Sequence, residues 1–567
     1  MRRKHVLSLL MLSMGIAMLV AAMTVGVATS APQKANSANA LRGGVLRVAH
    51  SGNGFDTLDP QIQYVANDAA LLYSTQMLLV NFPDKAGKAG SILRPDAAVA
   101  MPTISKNGKV YTFHIKKGLK FSDGSPVTAK AWQRAWERVL SPQQYVQNGC
   151  FLGLDQMVVG ADKFADCANG GAHATAKHIS GISAKGLTLV FHLTKANSTF
   201  VPILGLPWFG AVKPNMPYSK NPNGVLTYPS AGPYYIAVNQ PQRLAVLKRN
   251  KYYHGMLEHN PNQIVVNENN GSGEAQVLQI EKGQFDLDYG QVPSDQVSTV
   301  AKKYGGANKS QFHVGPTTCI TWASLNTQRA PTNNASVRKA LSYALGRSPI
   351  VKLLGPYAGR PADQFLVPGI PGYKKLNIYP NFPDFAKARK VGAGHLTGNL
   401  NLYYRPSSTF QSNLVQFEQR EFGLLGFKTT LQASDPSGYY HPLQTKSIAL
   451  GPNGFNVAGG GWCADYLDPY DYMNVNLDGR TISDTGNVNY FYFNNSHWDK
   501  QLTQAASKSG PARAKAYQAL DKELMTKYVP FIPYLVSNNR FLTSQRVKNY
   551  LYSSYYNYPV LNALSVG

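Results

Sequence analysis

The stretch SKNGKVYTFHIKKGLKFSDGSPVTAKAWQRAWERVL (residues 105–140) carries the signals of a strand and of a helix in direct succession. Asn107-Gly108 is typical of a tight hairpin turn, and the alternation of polar and apolar side chains after it predicts a half-buried strand. Beyond a second turn at residues 122–124, Thr128 is a candidate N-cap for an amphipathic helix with two tryptophans. The stretch therefore predicts a β-hairpin that leads directly into a helix.

Strands and helices are interleaved along the rest of the chain in the same way. Expected strands cover residues 46–49, 187–193, 244–247, 400–404 and 428–432. Expected helices cover residues 274–282, 337–345 (capped by Asn334 or Ser336), 410–424, 498–506 and 512–528. This interleaving is typical of an α/β or mixed α+β protein.

Length, composition and charge narrow the class of protein further. A chain of 567 residues is too long for one ordinary core, so two or three domains are expected. The net charge of +26 would suit a nucleic acid or an anionic cell surface as a binding partner. The basic residues are scattered singly, however, and no nucleic-acid-binding motif accompanies them. We therefore expect no nucleic-acid partner and interpret the charge as an adaptation for solubility.

The N-terminus has the order of segments found in a secretory signal. Basic residues at positions 2–4 precede an apolar run at residues 6–27, which small and polar residues follow. Cleavage is expected after Ser30 or Ala40, and an uncleaved membrane anchor is the alternative because the run is long enough to span a bilayer. No cysteine stands near either cut, which excludes a lipoprotein. Residues 1–40 are thus expected to export the protein to the periplasm or the outer face of the membrane.

Four cysteines in an exported chain are expected to form disulfides. Three connectivities are possible in principle. Cys150 and Cys167 bracket a short Gly-rich loop, which favours pairing between them and leaves Cys319 with Cys463. We expect no metal site and no cofactor, because the chain has no CxxC motif and no histidine at ligand spacing near the cysteines.

The segment GGWCADYLDPYDY (residues 460–472) concentrates acid in a basic chain. Three aspartates fall within seven residues here, directly after a Trp and one of the four cysteines. Asp468 and Asp471 fit structural roles, as a turn acceptor and a helix-start residue. For Asp465 the residues alone leave two interpretations, a turn cap beside a Trp/disulfide core and a ligand-binding carboxylate.

Six motifs in collinear order resemble those of the extracellular solute-binding proteins of family 5, which include the oligopeptide and dipeptide receptors of ABC importers. The resemblance covers essentially the whole chain after the signal. The matching pieces are GGVLRVA…DTLDP (43–60), KNGKVYTFHIKKGLKFSDGSPVTA (106–129), AGPYYI…LKRNKYY (231–253), IEKGQFDLDY (280–289), LNTQRAPTNNASVRKALSYAL (325–345) and GWCADYLDPYDYM (461–473).

The resemblance implies a two-lobed clamp with an additional inserted domain. The segments expected on this scheme are lobe I at residues 41–78, 201–318 and 541–567, domain II at residues 79–200, and lobe III at residues 319–540. The GWCADY stretch then lies in lobe III, at the cleft between the lobes.

The resemblance also implies a role for Asp465. Peptides of mixed sequence share only a backbone, an ammonium and a carboxylate, and an enclosed ammonium needs a fixed carboxylate. In peptide-binding members an aspartate of the matching motif supplies it. Trp462, Cys463 and Ala464 would then belong to the wall of the cleft. The oligopeptide receptors also carry a disulfide at the positions of Cys319 and Cys463.

The site for the peptide carboxylate departs from the family pattern. Oligopeptide receptors place an arginine four residues before the motif cysteine, where this chain has Gly459. Arg405 lies near the position at which dipeptide receptors hold a carboxylate, although not in identical register. It is the candidate carboxylate-binding residue, with a solvated loop arginine as the alternative.

The resemblance implies that the protein captures a peptide between its two lobes and delivers it to the transmembrane subunits of an ABC permease. We expect a monomer that is peripheral to the membrane or anchored to it by its N-terminus. The same clamp could carry a metal chelate or an oligosaccharide instead. An exported enzyme and a cell-wall adhesin are the remaining alternatives. We do not expect the protein to be an enzyme, because neither a G-x-S-x-G nor an H-E-x-x-H motif occurs in the sequence.

Overall fold

The computed structural model describes residues 42–50, 54–268, 271–435 and 438–567. The expected signal and linker, residues 1–40, lie outside these ranges. Among the helices that are described, none combines the length and the apolar character needed to cross a membrane.

The first sheet combines parallel and antiparallel strands and defines lobe I. Its central strands, Val45–His50 and Gln263–Glu268, run parallel, and Leu46 and Val48 are fully buried. The spatial order of its five strands is Leu287–Asp288, Val45–His50, Gln263–Glu268, Leu244–Arg249 and Tyr234–Gln240. The helices of lobe I are Ala66–Leu72, Gly273–Glu281 and Val297–Lys303.

The second sheet is antiparallel and defines domain II. Its four strands, in spatial order, are Thr103–Ile104, Val110–His114, Thr188–His192 and Ile182–Lys185. The hairpin expected at Asn107-Gly108 is confirmed, and Gly108 has the positive φ of +68° that such a turn requires. The helix begins one residue later than expected, at Lys130. The N-cap is Ala129, which makes no side-chain hydrogen bond to the helix. Thr128 is therefore not the cap, and only its backbone oxygen accepts an N–H group of the helix.

The helix Lys130–Leu140 lies between domain II and lobe I. Trp132 and Trp136 are fully buried in an apolar core that is continuous through both regions. On the same helix, Arg138 forms a buried ion pair of 2.5 Å with Asp59 of lobe I. The other helices of this region are Asn148–Phe151, Leu154–Met157, Ala161–Ala165 and Phe200–Ile203.

The third sheet is mixed and defines lobe III. The spatial order of its six strands is Gly359–Pro361, Phe531–Leu542, Phe312–Leu325, Val457–Cys463, Asn399–Tyr404 and Lys428–Ala433. Separate apolar cores cover its two faces, with Trp322 in one and Leu325 in the other. The helices of lobe III are Ala335–Ala344, Arg347–Leu353, Phe385–Val391, Thr409–Gly423, Tyr440–Gln444, Lys446–Ala449, Pro469–Leu477, Ser496–Ala506 and Gly510–Glu523, the last continuing into a wider turn, Leu524–Tyr528.

Two long antiparallel strands, Phe312–Leu325 and Phe531–Leu542, connect lobe I to lobe III. At one end Phe312 and Leu542 pack with the lobe I helices, and at the other end Trp322 packs in lobe III. The pairing is interrupted between Pro316 and Ile320. Such irregularities bend a strand and increase its twist, so the connection bends at a defined place.

Both disulfides expected from the sequence are present. Cys319 lies directly opposite Cys463 on neighbouring antiparallel strands, with an S–S distance of 2.01 Å. Cys150 pairs with Cys167 within domain II. The first disulfide joins the interlobe strand Phe312–Leu325 to the strand that ends in the GWCADY motif.

Several carboxyl groups are buried in the cores. Burial raises the pKa of Asp96 to about 6, of Asp521 to about 7 and of Glu418 to about 8. An unfolded carboxyl titrates near 4, so the folded state binds these protons more tightly than the unfolded state does. The free energy of unfolding therefore decreases as the pH rises through this window.

We expect the melting temperature to be higher at about pH 5 than at about pH 8. Differential scanning calorimetry across this range measures the effect. Glu418→Gln replaces a buried carboxyl with a neutral isostere, so it should raise the melting temperature at the alkaline end and flatten the pH dependence. An equal or higher melting temperature of the unaltered protein at the alkaline end would contradict the expectation.

Candidate functional site

A cavity of about 580 Å³ lies between lobe III and the lobe I/domain II unit. On the lobe III side its wall contains the four consecutive residues Trp462, Cys463, Ala464 and Asp465. All four predicted residues of the GWCADY motif thus lie at the same cavity. The opposite wall and the rim include Tyr64, Phe151, Trp208, Tyr555 and Tyr556.

The motif is held at the cavity by the strand that precedes it and the helix that follows it. The strand Val457–Cys463 pairs with the interlobe strand Phe312–Leu325 until its last residue. The chain then leaves the sheet and enters the helix Pro469–Leu477, whose N-cap is Asp468. Asp465 lies in the short connection between the two elements, where backbone groups are free to bond to side chains.

The backbone of Asp465 is fixed on both sides of the residue. Its N–H donates to Oδ2 of Asp471 at 2.9 Å, and its carbonyl oxygen accepts from the Tyr555 hydroxyl at 2.8 Å. Its carboxyl oxygen Oδ2 is buried and has no hydrogen-bond partner in the described part of the chain. Burial raises the pKa of Asp465 to about 7. The side chain is therefore an anchored acceptor that lacks a donor.

Asp471 contributes to this site in a way that the sequence did not indicate. It lies in the first helical turn, as its spacing suggests, and it is fully buried. Its Oδ2 also accepts a hydrogen bond of 3.1 Å from the indole nitrogen of Trp462. Burial, with the nearby charge of Asp465, raises its pKa well above the ordinary range. Asp471 thus holds Trp462 and Asp465 from behind the cavity wall.

Asp468 connects the motif to the opposite side of the cleft. As N-cap it accepts a hydrogen bond from the backbone of Tyr470, and it pairs with Arg513 at 2.6 Å. Arg513 also donates to the hydroxyl of Thr199, which is 2.8 Å away and fully buried. The ion pair of lobe III therefore bonds directly to the lobe I/domain II unit.

Aromatic rings line the cavity from segments that are distant in sequence. Trp462 stacks on Phe151 with ring centroids 6.2 Å apart, and Tyr64 contacts Phe151 at 5.3 Å. Tyr440 and Tyr490 line the cavity on the lobe III side. The abundance of tyrosine in the chain, 33 residues, was the one available signal, and it did not identify these positions. Only the approach of the lobes brings them together.

Arg405 lies one side chain away from the cavity. It follows the strand Asn399–Tyr404, and its guanidinium is 4.7 Å from the ring centroid of Tyr439 and 5.4 Å from that of the cavity residue Tyr440. Within the four described ranges it forms no ion pair with an acidic side chain. Its charge is thus held by aromatic faces and remains available to an anion.

Close packing explains the run of three glycines before Trp462. A β-carbon on Gly460 would lie 2.7 Å from the indole nitrogen of Trp322, and one on Gly461 would lie 2.9 Å from a backbone oxygen. The space beside Gly459 is filled by Tyr439, whose hydroxyl donates to the Gly459 carbonyl at 2.7 Å. A tyrosine therefore occupies the place into which an arginine side chain at this position would extend.

No group of three or more His, Cys, Asp or Glu side chains that could hold a metal occurs in the ranges 42–50, 54–268, 271–435 and 438–567. The chemistry that the cavity offers is therefore that of a buried carboxyl, an aromatic wall and a nearby guanidinium.

Known proteins share this architecture along most of the chain. Periplasmic oligopeptide-binding protein OppA of Salmonella typhimurium is 24% identical over 449 residues, which cover 76% of this chain and 78% of that protein. The structure of clavulanic acid biosynthesis oligopeptide binding protein 2 superposes with a TM-score of 0.80 at 20% identity and covers 93% of this chain and 96% of that chain.

A second solved structure is the ABC transporter-associated periplasmic binding protein DppA from Helicobacter pylori, in complex with the peptide STSA. It superposes with a TM-score of 0.69 at 19% identity, and the match covers 93% of this chain and 98% of that chain. At these identities the two structures establish the fold, which is the two-lobed, mixed α/β architecture expected from the sequence.

The family model of the bacterial extracellular solute-binding proteins, family 5, matches residues 93–484, which include the four-stranded sheet of domain II, the interlobe strand Phe312–Leu325 and the GWCADY motif. This match covers well over half of the chain, and the fold agrees with it. The protein belongs to the bacterial extracellular solute-binding proteins of family 5.

Proposed function

We propose that this protein is an extracytoplasmic receptor that captures peptides between its two lobes and delivers them to an ABC-type permease. The observation that carries the proposal is the carboxyl of Asp465, whose Oδ2 is buried at the interlobe cavity without a hydrogen-bond donor in the described chain. A peptide ammonium supplies both the missing donors and the opposite charge. The relatives named for oligopeptide binding support this ligand class.

The cavity suits a short peptide of variable sequence. Its volume of about 580 Å³ falls in the range of cavities that enclose small ligands. Tyr64, Tyr440 and Tyr490 offer broad faces and hydroxyl groups, which house different side chains without demanding one partner. The selective contacts would then be made with the parts that all peptides share.

We also propose a domain arrangement, a route of export and a fate for the bound peptide. The lobes follow the three sheets, with lobe I and domain II forming one arm of the clamp and lobe III the other. Residues 1–40 act as the export signal and linker, and the protein is not a lipoprotein. The peptide is bound without being cleaved, so that the receptor passes it intact to the permease.

Asp465→Asn should weaken the binding of a peptide with a free ammonium by about 3 kcal/mol or more, roughly a hundredfold in Kd, because the ammonium loses its counter-charge. A pool of dipeptides to pentapeptides would first identify a tight ligand. Isothermal titration calorimetry of that peptide and of its N-acetylated form then measures the effect. The acetylated form should bind the unaltered protein as weakly as the free peptide binds the variant.

Asp162→Asn is the matched control, since Asp162 is exposed on domain II, away from the cavity. It should leave the affinity unchanged. Equal affinity for the free and the acetylated peptide would refute the ammonium site.

We propose Arg405 as the residue that receives the peptide carboxylate. Arg405→Gln should weaken a peptide with a free C-terminus about tenfold or more, the ordinary value of a charge-assisted hydrogen bond. It should leave the C-terminally amidated peptide unaffected. Arg389→Gln, on the exposed helix Phe385–Val391, is the control. An equal loss for both peptides would show that Arg405 acts only through Tyr439 and Tyr440.

Closure of the clamp is proposed to depend on the contact between Arg513 and Thr199. Thr199→Val keeps the shape of a buried side chain and removes the hydroxyl acceptor, so the closed state should open faster and the peptide dissociation rate should rise severalfold. Stopped-flow displacement of a fluorescent peptide measures this rate. Thr526→Val, on an exposed surface of lobe III, is the control. An unchanged dissociation rate in Thr199→Val would contradict a role in closure.

A further inference from the structure

The half-buried carboxyl group of Asp465 and the fully buried one of Asp471 lie together at the cavity wall. Oδ2 of Asp471 accepts two hydrogen bonds, from the Asp465 backbone and from Trp462. Oδ1 of Asp471 and Oδ2 of Asp465 are both buried and have no hydrogen-bond partner among the residues that the structure describes. Asp465 lines the cavity, whereas Asp471 lies behind the wall.

Among the residues that the structure describes, the side chains around this pair supply no compensating positive charge. The pair is surrounded by tyrosines. Three come from the same segment, Tyr466, Tyr470 and Tyr472, and two face the pair from lobe I, Tyr64 and Tyr555. The pKa of each of these tyrosines is raised, so each is neutral at physiological pH.

The remaining charged group nearby is Asp468, which adds negative charge to the surroundings of Asp471. The guanidinium of Arg513 is bonded to Asp468 and to Thr199. In the described chain neither Asp465 nor Asp471 forms an ion pair with a lysine, an arginine or a histidine.

Two adjacent carboxylates without a counter-charge cannot both stay ionised in a buried site, and such a pair retains a proton. The deeper group, Asp471, is the one without access to the cavity. Its proton belongs on Oδ1, because Oδ2 already accepts two N–H groups. The raised pKa of both groups agrees with this arrangement.

We propose that Asp471 is a positioning residue that keeps its proton throughout, and that the ammonium of the ligand enters the site by displacing the proton of Asp465. This inference rests on the proposed peptide function. The exchange balances simply, since the R–NH₃⁺ group pairs with the Asp465 carboxylate, the displaced proton goes to the solvent, and no bond within the ligand changes. Below about pH 7, peptide capture is thereby coupled to the release of one proton.

The coupling has a defined direction with pH. Above about 7 Asp465 is already ionised in the empty protein, so binding releases no proton. Below that pH one proton leaves for each peptide bound, and affinity decreases about tenfold per pH unit. Asp471 stays neutral in both ranges and contributes position rather than charge.

The protonation states can be read in the empty protein, without any ligand. Carbon-13 NMR of the aspartate carboxyl carbons, followed from about pH 4 to 9, should show Asp465 and Asp471 among the carboxyls still protonated at about pH 6, together with other buried aspartates such as Asp521. Asp465→Asn should remove one signal that titrates near 7 and leave that of Asp521 in place. Asp471→Asn, which mimics a protonated carboxyl in shape and keeps an oxygen acceptor, should remove one further protonated carboxyl and leave the titration of Asp465 in place. Titration of Asp471 near 4 would overturn the proposal.

Calorimetry with the tripeptide Ala-Ala-Ala, in buffers of different ionisation enthalpy, then counts the protons released. About one should leave at about pH 6, in the unaltered protein and in Asp471→Asn. At about pH 8 none should leave, because Asp465 is already ionised, and the partly deprotonated amine of the peptide should take up a fraction of a proton instead. Binding without proton release at the lower pH would overturn the proposal. A failure of this tripeptide to bind would count against the proposed function alone, because the NMR titration decides the protonation states independently.

Discussion

The antiparallel pairing of Phe312–Leu325 with Phe531–Leu542 is the constraint on which the rest of this structure depends. These strands are the centre of the lobe III sheet, and their far ends pack against the helices of lobe I. Hydrogen-bonded strands are stiff along their length, so the two lobes cannot separate freely. The interruption of the pairing after Pro316 concentrates bending near the cavity, which suits a clamp that opens and closes about a fixed position.

The same strand pair places the chemistry of the site. Cys319 and Cys463 join the interlobe strand to the strand of the GWCADY motif at the point where that motif leaves the sheet. Asp465 is therefore presented from a rigid edge and is further held by Asp471 and Tyr555. A carboxylate fixed in this way needs no reorganisation when an ammonium arrives, and its desolvation is offset only when a cation is enclosed with it. On the proposal that Asp465 receives the ligand, this requirement would favour amines.

The surroundings of Gly459 differ from the arginine of the family pattern. Tyr439 fills the space beside Gly459, and the nearby guanidinium is that of Arg405, held against the rings of Tyr439 and Tyr440. A guanidinium on aromatic faces keeps its N–H groups free for a planar anion. On the proposal that Arg405 receives the peptide carboxylate, its position would set the length of peptide that fits.

The sequence by itself determined the class of fold, most of the strands and helices, the hairpin at Asn107-Gly108, the disulfide pairing and the motif that carries Asp465, because these depend on local periodicity, turn chemistry and motif order. Its prediction of Thr128 as a helix cap was wrong, since the helix begins at Lys130 and its N-cap is Ala129, which makes no side-chain bond.

Only the tertiary structure decided what surrounds Asp465. Phe151 and Tyr64 come from segments more than 300 residues away from Asp465, and Tyr555 lies 90 residues away from it. No local pattern distinguishes these residues from other aromatic residues. The same is true of Asp471, which has the sequence context of an ordinary first-turn aspartate. Its contact with Trp462 and its burial beside a second carboxyl follow from the way the strand Val457–Cys463 and the helix Pro469–Leu477 meet within lobe III. Burial and charge proximity are properties of the folded chain and not of the sequence order.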